Sequence, residues 1–107
     1  MYYLGFQDID ACEIWIYDKK TLESLTKNDI FLKVTEENIA KVQHYFDNLY
    51  MRVTVKEREK FNKLVSKENF IKTGDYFCFR ENTASHRIIL LYLDLKENHV
   101  LTLVSLG

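Results

Sequence analysis

The segments YFCFRE (76–81), HRIILLYLDL (86–95) and HVLTLVSL (99–106) decide the fold of this 107-residue chain. Only short polar, turn-like segments separate them, at residues 82–85 and 96–98. Apolar segments joined by links this short form antiparallel neighbours, because a parallel pair needs a long crossover connection. The C-terminal third therefore predicts a three-stranded antiparallel meander.

The pairing within this meander predicts that both faces of the sheet are apolar. With residues 82–85 as the loop, Arg80 lies opposite Arg87, and the second turn places Leu95 opposite His99. One face then carries Tyr76, Cys78, Arg80, Arg87, Ile89, Leu91, Leu93, Leu101 and Leu103, and the other carries Phe77, Phe79, Ile88, Leu90, Tyr92, Val100, Val104 and Leu106. A sheet with one solvated face alternates with polar residues, so this sheet needs cover on both sides. We expect helices on one face and the N-terminal elements on the other; the alternative is a partner or a second copy of the chain on part of one face.

The N-terminal half predicts strands and then helices. Residues 2–6 and 12–17 form an N-terminal β-hairpin, with period-2 alternation in the second strand. Asp18 can cap a short helix that carries Leu22 and Leu25. Residues 30–34 are β-prone and short, either extended or merely connecting.

Two longer amphipathic helices follow. The first starts at Thr35 and has apolar residues at helical spacing, namely Ile39, Val42, Phe46 and Leu49. Residues 51–55 either continue this helix or form a brief strand. The second helix starts at the capping box formed by Thr54 and Glu57, carries Phe61, Leu64 and Val65 on one face, and ends before Thr73. Together these elements predict a single α+β domain over residues 1–107, with two to three helices between the hairpin and the meander.

Composition narrows the location and the partners. The net charge of −1 provides no general field for holding nucleic acid. Cys12 and Cys78 are too few for a disulfide framework, no secretory leader opens the chain, and no apolar run approaches the roughly 20 residues that span a bilayer. We therefore expect a cytoplasmic protein with no membrane partner.

Catalytic and metal motifs are absent from the sequence. His44, His86 and His99 have no metal-ligand spacing, and no glycine-rich phosphate loop occurs. Cys78 with His86 is a conceivable nucleophile and base, but apolar neighbours disfavour the thiolate. We expect no metal and no cofactor.

Positive charge is concentrated in the second half of the chain. Residues 52–72 have a net charge of +4, whereas residues 1–51 have a net charge of −4. A basic helix beside Arg80 and Arg87 would make a nucleic-acid-facing patch, and the alternative is an ordinary solvated face. The two arginines would hold a phosphate-sized anion, unless the strand register separates them or nearby carboxylates such as Glu81 or Asp94 neutralise them.

The meander also resembles a known family. The runs Gly74-Asp-Tyr-Phe-Cys-Phe-Arg80, His86-Arg-Ile-Ile-Leu-Leu-Tyr92 and Val100-Leu-Thr-Leu-Val-Ser-Leu-Gly107 are similar to the closing strands of RelE/ParE-type toxins. The resemblance implies a terminal antiparallel sheet with basic catalytic residues and, for the ribonuclease members, cleavage of messenger RNA on the ribosome. In that case Arg80 and Arg87 would bind phosphate while His86 or Tyr92 moved the proton.

The interpretation that we favour is a small non-enzymatic protein-binding domain. Aromatic-rich and nearly neutral chains suit this role, because interface energy is concentrated on a few aromatic and arginine residues. Many lysines and no proline are typical of an AT-rich genome, so we expect an accessory protein or inhibitor of a phage or mobile element that acts on a host protein. The predicted contact residues are Tyr2, Tyr3, Trp15, Tyr17, Arg80 and Arg87. A homodimer, a nucleic-acid complex and a RelE-like ribonuclease or an inactive relative remain the alternatives.

Overall fold

A computed structural model describes residues 11–65 and 69–105 of the chain. The elements in chain order are β1 (Ala11–Ile16), α1 (Lys19–Thr26), β2 (Leu32–Lys33), α2 (Ile39–Tyr50), α3 (Val55–Leu64), β3 (Tyr76–Asn82), β4 (Arg87–Asp94) and β5 (His99–Ser105). They form a five-stranded antiparallel sheet and three helices, which confirms the predicted α+β class. The predicted strand over residues 2–6 lies outside the described residues. No helix within those residues is long and apolar enough to cross a membrane.

The sheet has the strand order β1-β5-β4-β3-β2, so the predicted meander forms its centre. The second turn differs from the prediction, because it spans residues 95–98 and places Asp94 rather than Leu95 opposite His99. Asn98 adopts a positive φ of 58° at the end of this turn. The one-residue slip moves every side chain of β5 to the other face, so the predicted faces of β5 are wrong.

We name the two faces by residues that they carry. In the meander, the arginine face consists of Tyr76, Cys78, Arg80, Asn82, Arg87, Ile89, Leu91, Leu93, Val100, Thr102 and Val104. The tyrosine face of the meander consists of Phe77, Phe79, Glu81, Ile88, Leu90, Tyr92, Asp94, His99, Leu101, Leu103 and Ser105. These assignments follow from the pairing, because residues directly opposite each other in a sheet point to the same face.

Each face is covered by a different part of the chain, as expected. The core on the tyrosine face joins side chains of α2 and α3, such as Phe46 and Phe61, to Leu90 and Leu101 of the sheet. On the arginine face a smaller cluster joins Leu22 of α1 to Phe31, Cys78, Leu93 and Val100. Burial of a large apolar side chain contributes roughly 1.5–3 kcal/mol, so these two clusters hold the layers together.

Helix capping follows the sequence in two cases out of three. The Asp18 side chain accepts a hydrogen bond from the Thr21 N–H (2.7 Å) at the start of α1. At the start of α3 the Thr54 hydroxyl accepts one from the Glu57 N–H (3.3 Å). Both caps were predicted, and each satisfies a backbone donor that the helix itself leaves unpaired.

The start of α2 was predicted wrongly. The helix begins at Ile39 rather than at Thr35. The Asn38 side chain accepts a hydrogen bond from the Thr35 N–H (2.8 Å), and the Asn38 N–H donates to the Thr35 hydroxyl (3.3 Å). These are reciprocal bonds of the capping-box type, and the Ile39 N–H donates to the Thr35 C=O (2.9 Å), so the turn that begins at Thr35 leads directly into the helix.

The end of α3 falls before Thr73, as predicted. The helix stops at Leu64, where Val65 takes an extended backbone with φ −143° and ψ 160°. Val65 packs against the core, whereas the Leu64 side chain is 57% exposed and not part of the buried face. Of the predicted face of this helix, Phe61 and Val65 reach the core.

Candidate functional site

The β3–β4 hairpin carries the two arginines that the sequence singled out. Arg80 pairs with Ile89 and Arg87 pairs with Asn82, so the predicted placement of Arg80 opposite Arg87 is wrong. The loop spans residues 83–86, one position later than predicted, because Asn82 stays in the strand. Its side-chain oxygen accepts hydrogen bonds from the backbone of two loop residues at 3.0 and 3.2 Å. The register therefore removes the direct repulsion between the arginines.

Both arginines are nevertheless close to each other and exposed. They lie on the arginine face as diagonal neighbours, a relation that places Cα atoms about 7–8 Å apart. Within residues 11–65 and 69–105, neither guanidinium forms a hydrogen bond or an ion pair with a protein group. His86 is exposed beside them and closes the loop with a positive φ of 57°. The tip of the hairpin thus presents two cationic side chains that have no polar partner in the described part of the chain.

Within residues 11–65 and 69–105, the outer edge of β3 is open along most of its length. β2 pairs only with Tyr76 and Phe77, whereas β4 pairs with the whole of β3. Among the described residues, none forms a strand beside the outer side of residues 78–82. An unpaired edge of this kind is a template for adding another strand.

The direction of the free backbone groups follows from one hydrogen bond. The Val34 N–H donates to the Asp75 C=O at 2.7 Å, so the backbone groups of residue 75 point outward. In an antiparallel strand these directions alternate from one residue to the next. The outward groups of the open edge are therefore the N–H and C=O of Phe79 and Glu81.

A groove lies on the tyrosine face next to this edge. The ring of Tyr45 on α2 stacks on Phe79, with centroids 3.8 Å apart and planes 6° apart. Beside the pair, Leu49 and Ile88 line a groove of about 350 Å³, and Arg52 is one of its polar residues. The half-buried aromatic pair gives the edge an apolar flank that faces away from the arginines.

Tyr92 does not belong to the hairpin site. It is fully buried on the tyrosine face, opposite to the face of Arg80 and Arg87. Its hydroxyl donates to the Asp75 carboxylate (2.6 Å) and accepts from the Lys72 N–H (2.9 Å). Burial, followed by the hydrogen bond to Asp75, raises the pKa of the Tyr92 phenol well above its ordinary value. The structure therefore brings together Arg80, His86 and Arg87 of the predicted set but not Tyr92.

A charged brace surrounds Tyr92 at the other end of the meander. The Lys72 ammonium lies 3.0 Å from the Asp75 carboxylate and 2.8 Å from the Asp94 carboxylate, and both carboxylates are buried. Burial opposes the charge on Lys72, but the hydrogen bonds to the two carboxylates outweigh it, and the pKa of the ammonium is raised. The Asp75 carboxylate also accepts from the Leu95 N–H (3.1 Å). These contacts fasten the segment before β3 to the turn after β4.

A cleft of about 500 Å³ opens beside the brace. Phe70 and Leu64 line its apolar part, and Lys96, Glu97 and His99 line its polar part. Its positive and negative side chains balance, and the Lys72 ammonium on its wall is already occupied by the two carboxylates. Among the described residues, the lining of the cleft therefore has no excess of either charge.

Of the predicted aromatic contact residues, the two that the structure describes lie far from the arginines. Tyr2 and Tyr3 lie outside the described residues. Trp15 is half-buried and packs against the cluster that includes Leu22. The Tyr17 side chain is 38% exposed, and its N–H donates to the Asn98 C=O (2.9 Å). Both residues are in or next to β1, at the opposite edge of the sheet from β3.

The predicted basic patch is divided in the same way. The basic helix α3 packs against β1, on the side of the sheet far from β3. Its buried Phe61 belongs to the cluster on the tyrosine face, whereas Arg80 and Arg87 lie on the arginine face. The helix and the arginine hairpin therefore form two separate basic regions.

Other chemistry is sparse in the described part of the chain. Within it, no three His, Cys, Asp or Glu side chains are grouped as metal ligands would be. Cys12 and Cys78 are free and buried, and burial raises the pKa of the Cys12 thiol to about 12. These thiols are core residues and are not activated nucleophiles.

Sequence reasoning missed the open edge and the Tyr45–Phe79 stack. The available signal for the edge was the shortness of the β-prone segment at residues 30–34, which cannot cover the seven residues of β3. No sequence signal pairs Tyr45 with Phe79, because that contact depends on how α2 crosses the sheet.

Comparisons with family models, with curated proteins and with solved structures find no match to this chain.

Proposed function

We propose that this chain is a protein-binding domain that takes an extended segment of a partner protein as an added strand along β3. The observation that carries the proposal is the short pairing of β2, which leaves residues 78–82 open on their outer side. Strand addition uses main-chain hydrogen bonds for affinity and side-chain contacts on either face for specificity.

The edge supplies both kinds of contact. The outward N–H and C=O groups of Phe79 and Glu81 can pair with a partner strand, and each such hydrogen bond contributes about 1 kcal/mol. Arg80 and Glu81 are exposed on this strand and point to opposite faces. Charged residues on an edge disfavour unselective pairing with other sheets, so a partner must match them.

The test uses a displayed random library of extended peptides, each of about six residues, selected against the immobilised chain. We expect selected peptides to slow amide hydrogen exchange at Phe79 and Glu81. Glu81→Pro removes an outward N–H and leaves the hydrogen bonds to β4 in place, and it should weaken binding about tenfold or more. Glu81→Ala keeps that N–H and should still bind.

Two results would count against strand addition. One is a set of selected peptides whose complexes leave both amides exchanging as fast as in the free chain. The other is equal binding by the proline and alanine variants. The exchange measurement needs no variant, so the test remains decisive if Glu81→Pro does not fold.

The remaining expectations fit this proposal. Strand addition to this edge would allow the chain to bind a host protein as an accessory protein of a phage or mobile element. The two buried free thiols suit a reducing compartment and support the expected cytoplasmic location. The ribonuclease alternative has less support, because Tyr92 is buried away from Arg80 and Arg87.

A further inference from the structure

We infer that the segment recognised by the β3 edge alternates acidic residues with large apolar residues, with the acidic ones on the arginine face. This inference rests on the proposed strand addition and specifies its partner. A residue directly opposite Arg80 in an added strand shares the face of Arg80, and its two neighbours point to the other face. The two faces of the edge therefore select alternate residues of the partner.

The arginine face selects negative charge. Lys33, Arg80 and Arg87 lie on this face of β2, β3 and β4, and all three are exposed. None of the residues that these three strands place on this face is acidic. A carboxylate opposite Arg80 meets the guanidinium of Arg80 directly, which favours a charge-assisted hydrogen bond. Arg87 lies one strand further in, on β4, and adds positive charge to the same face.

The tyrosine face selects a large apolar side chain. Phe79 is half-buried under the Tyr45 ring at the edge, and Leu49 and Ile88 extend this apolar surface into the adjoining groove of about 350 Å³. The rest of the groove lining is polar and consists of His44, Asn48, Arg52 and Glu81. That volume is within the range of sites that hold small molecules and exceeds the needs of a methyl-sized side chain. An aromatic residue can make an edge-to-face or offset contact with the existing pair.

Glu81 selects the register of the added strand, and therefore which of its residues lie on the arginine face. It is exposed on the tyrosine face of β3, one position beyond Arg80. A partner that slipped by one residue would place its carboxylates opposite Glu81 and its apolar side chains beside the arginines. Like charges directly opposite each other destabilise a strand pair, so the slipped register is disfavoured.

The experiment compares three synthetic peptides of equal length. In the first, aspartate alternates with phenylalanine, and in the second, lysine alternates with phenylalanine. The third has the composition of the first, with all its aspartates in one block and all its phenylalanines in another. We expect the first to bind most tightly, with an affinity that falls as salt is raised. Arg80→Gln should weaken it by about fivefold, as for one exposed ion pair, and Tyr45→Ala should weaken it by about as much or more. Lys63→Gln, which removes an equal charge from the distant helix α3, should leave binding unchanged.

A charge exchange gives the sharpest readout. The variant with Arg80→Glu and Arg87→Glu should prefer the lysine peptide over the aspartate peptide. Equal binding of all three peptides by the unchanged chain would overturn the inference, as would a single-stranded oligonucleotide that binds more tightly than any peptide through Arg80. Pairing of two β3 edges in a homodimer, detected by light scattering and lost in Glu81→Pro, would also overturn it.

Strand addition and the acidic–apolar pattern of the partner can be disproved separately. Library peptides that protect the Phe79 and Glu81 amides but show no acidic–apolar alternation would leave strand addition standing and remove the inference. Absence of protection by any peptide would remove both.

Discussion

The two ends of the meander hold charge in opposite ways. At the β4–β5 turn, Asp75 and Asp94 are 3% and 2% exposed, and one ammonium, that of Lys72, lies within 3.0 Å of both carboxylates. At the β3–β4 turn, Arg80 and Arg87 are exposed and have no ionic partner within the described residues.

The difference separates charge that serves the fold from charge that is available to a partner. A buried carboxylate is tolerated only when it is paired and hydrogen-bonded, so the charges of the brace cannot be used elsewhere without loss of stability. The hairpin arginines form no hydrogen bond or ion pair within the described residues. The brace fastens the start of β3, and the open edge lies at its other end.

The largest expected effect is on stability, from removal of the centre of the brace. Asp75→Ala deletes the carboxylate that contacts Lys72, Tyr92 and the Leu95 N–H. It should lower the free energy of unfolding by about 2–3 kcal/mol, because the buried Tyr92 hydroxyl loses its acceptor and the half-buried Lys72 ammonium loses one of its two carboxylates. Urea unfolding at neutral pH measures the change.

The matched control is a carboxylate at the other end of the meander. Glu81→Ala should change the free energy of unfolding by less than about 0.5 kcal/mol, as is usual for an exposed residue. A similar small change for Asp75→Ala would show that the brace is not structural, and the contrast between the two ends would then be lost.

A rise to alkaline pH should lower the free energy of unfolding through the buried groups, by less than the loss of Asp75 does. Burial raises the pKa of the Cys12 thiol from 9.0 to about 12, so the folded chain holds this proton more tightly than the unfolded chain. The stabilisation is complete below pH 9 and is lost as the pH rises toward 12. Between pH 9 and 10 the free energy of unfolding should fall by about 1 kcal/mol from this group alone.

The brace adds to this loss at higher pH. Folding also raises the pKa values of Tyr92 and Lys72 above their ordinary values of 10.0 and 10.5. The stability that these two protonated groups provide is therefore lost as the pH rises above 10. Urea unfolding between pH 8 and 11 measures how steeply the free energy of unfolding falls with pH. Cys12→Ala should reduce this slope between pH 9 and 10, and Tyr92→Phe should reduce it above pH 10. An unchanged slope in Cys12→Ala would contradict the assignment to the thiol.

The sequence predicted the elements of the fold better than their register. Apolar runs and short turns are local features, and they located the meander, β1, and the caps Asp18 and Thr54. The register depends on which residues enter each turn. Asn82 stayed in β3 and Leu95 left β4, and neither choice follows from hydrophobicity.

The candidate site was predicted only in part. Arg80 and Arg87 lie on one hairpin as the sequence predicted, although they are not directly opposite each other, and their role as binding residues stays a prediction. Tyr92 was included through its position on the same hairpin, yet its buried hydroxyl serves the brace. Its partners Lys72 and Asp75 come from a loop, and their distance in sequence gives no sign of this contact.

The smallest expected effect comes from the backbone of the two turns themselves. His86 and Asn98 both occupy the left-handed region, with φ of 57° and 58°. Glycine adopts this conformation without a steric penalty, so His86→Gly should stabilise the fold by about 0.5–1 kcal/mol. Asn98→Gly should gain less, because asparagine visits this region more readily than most residues. Thermal unfolding of the two variants compares them directly. A loss of stability in His86→Gly would mean that the imidazole makes a contact that stabilises the β3–β4 turn. The two ends of the meander would then differ less than their ion pairs indicate.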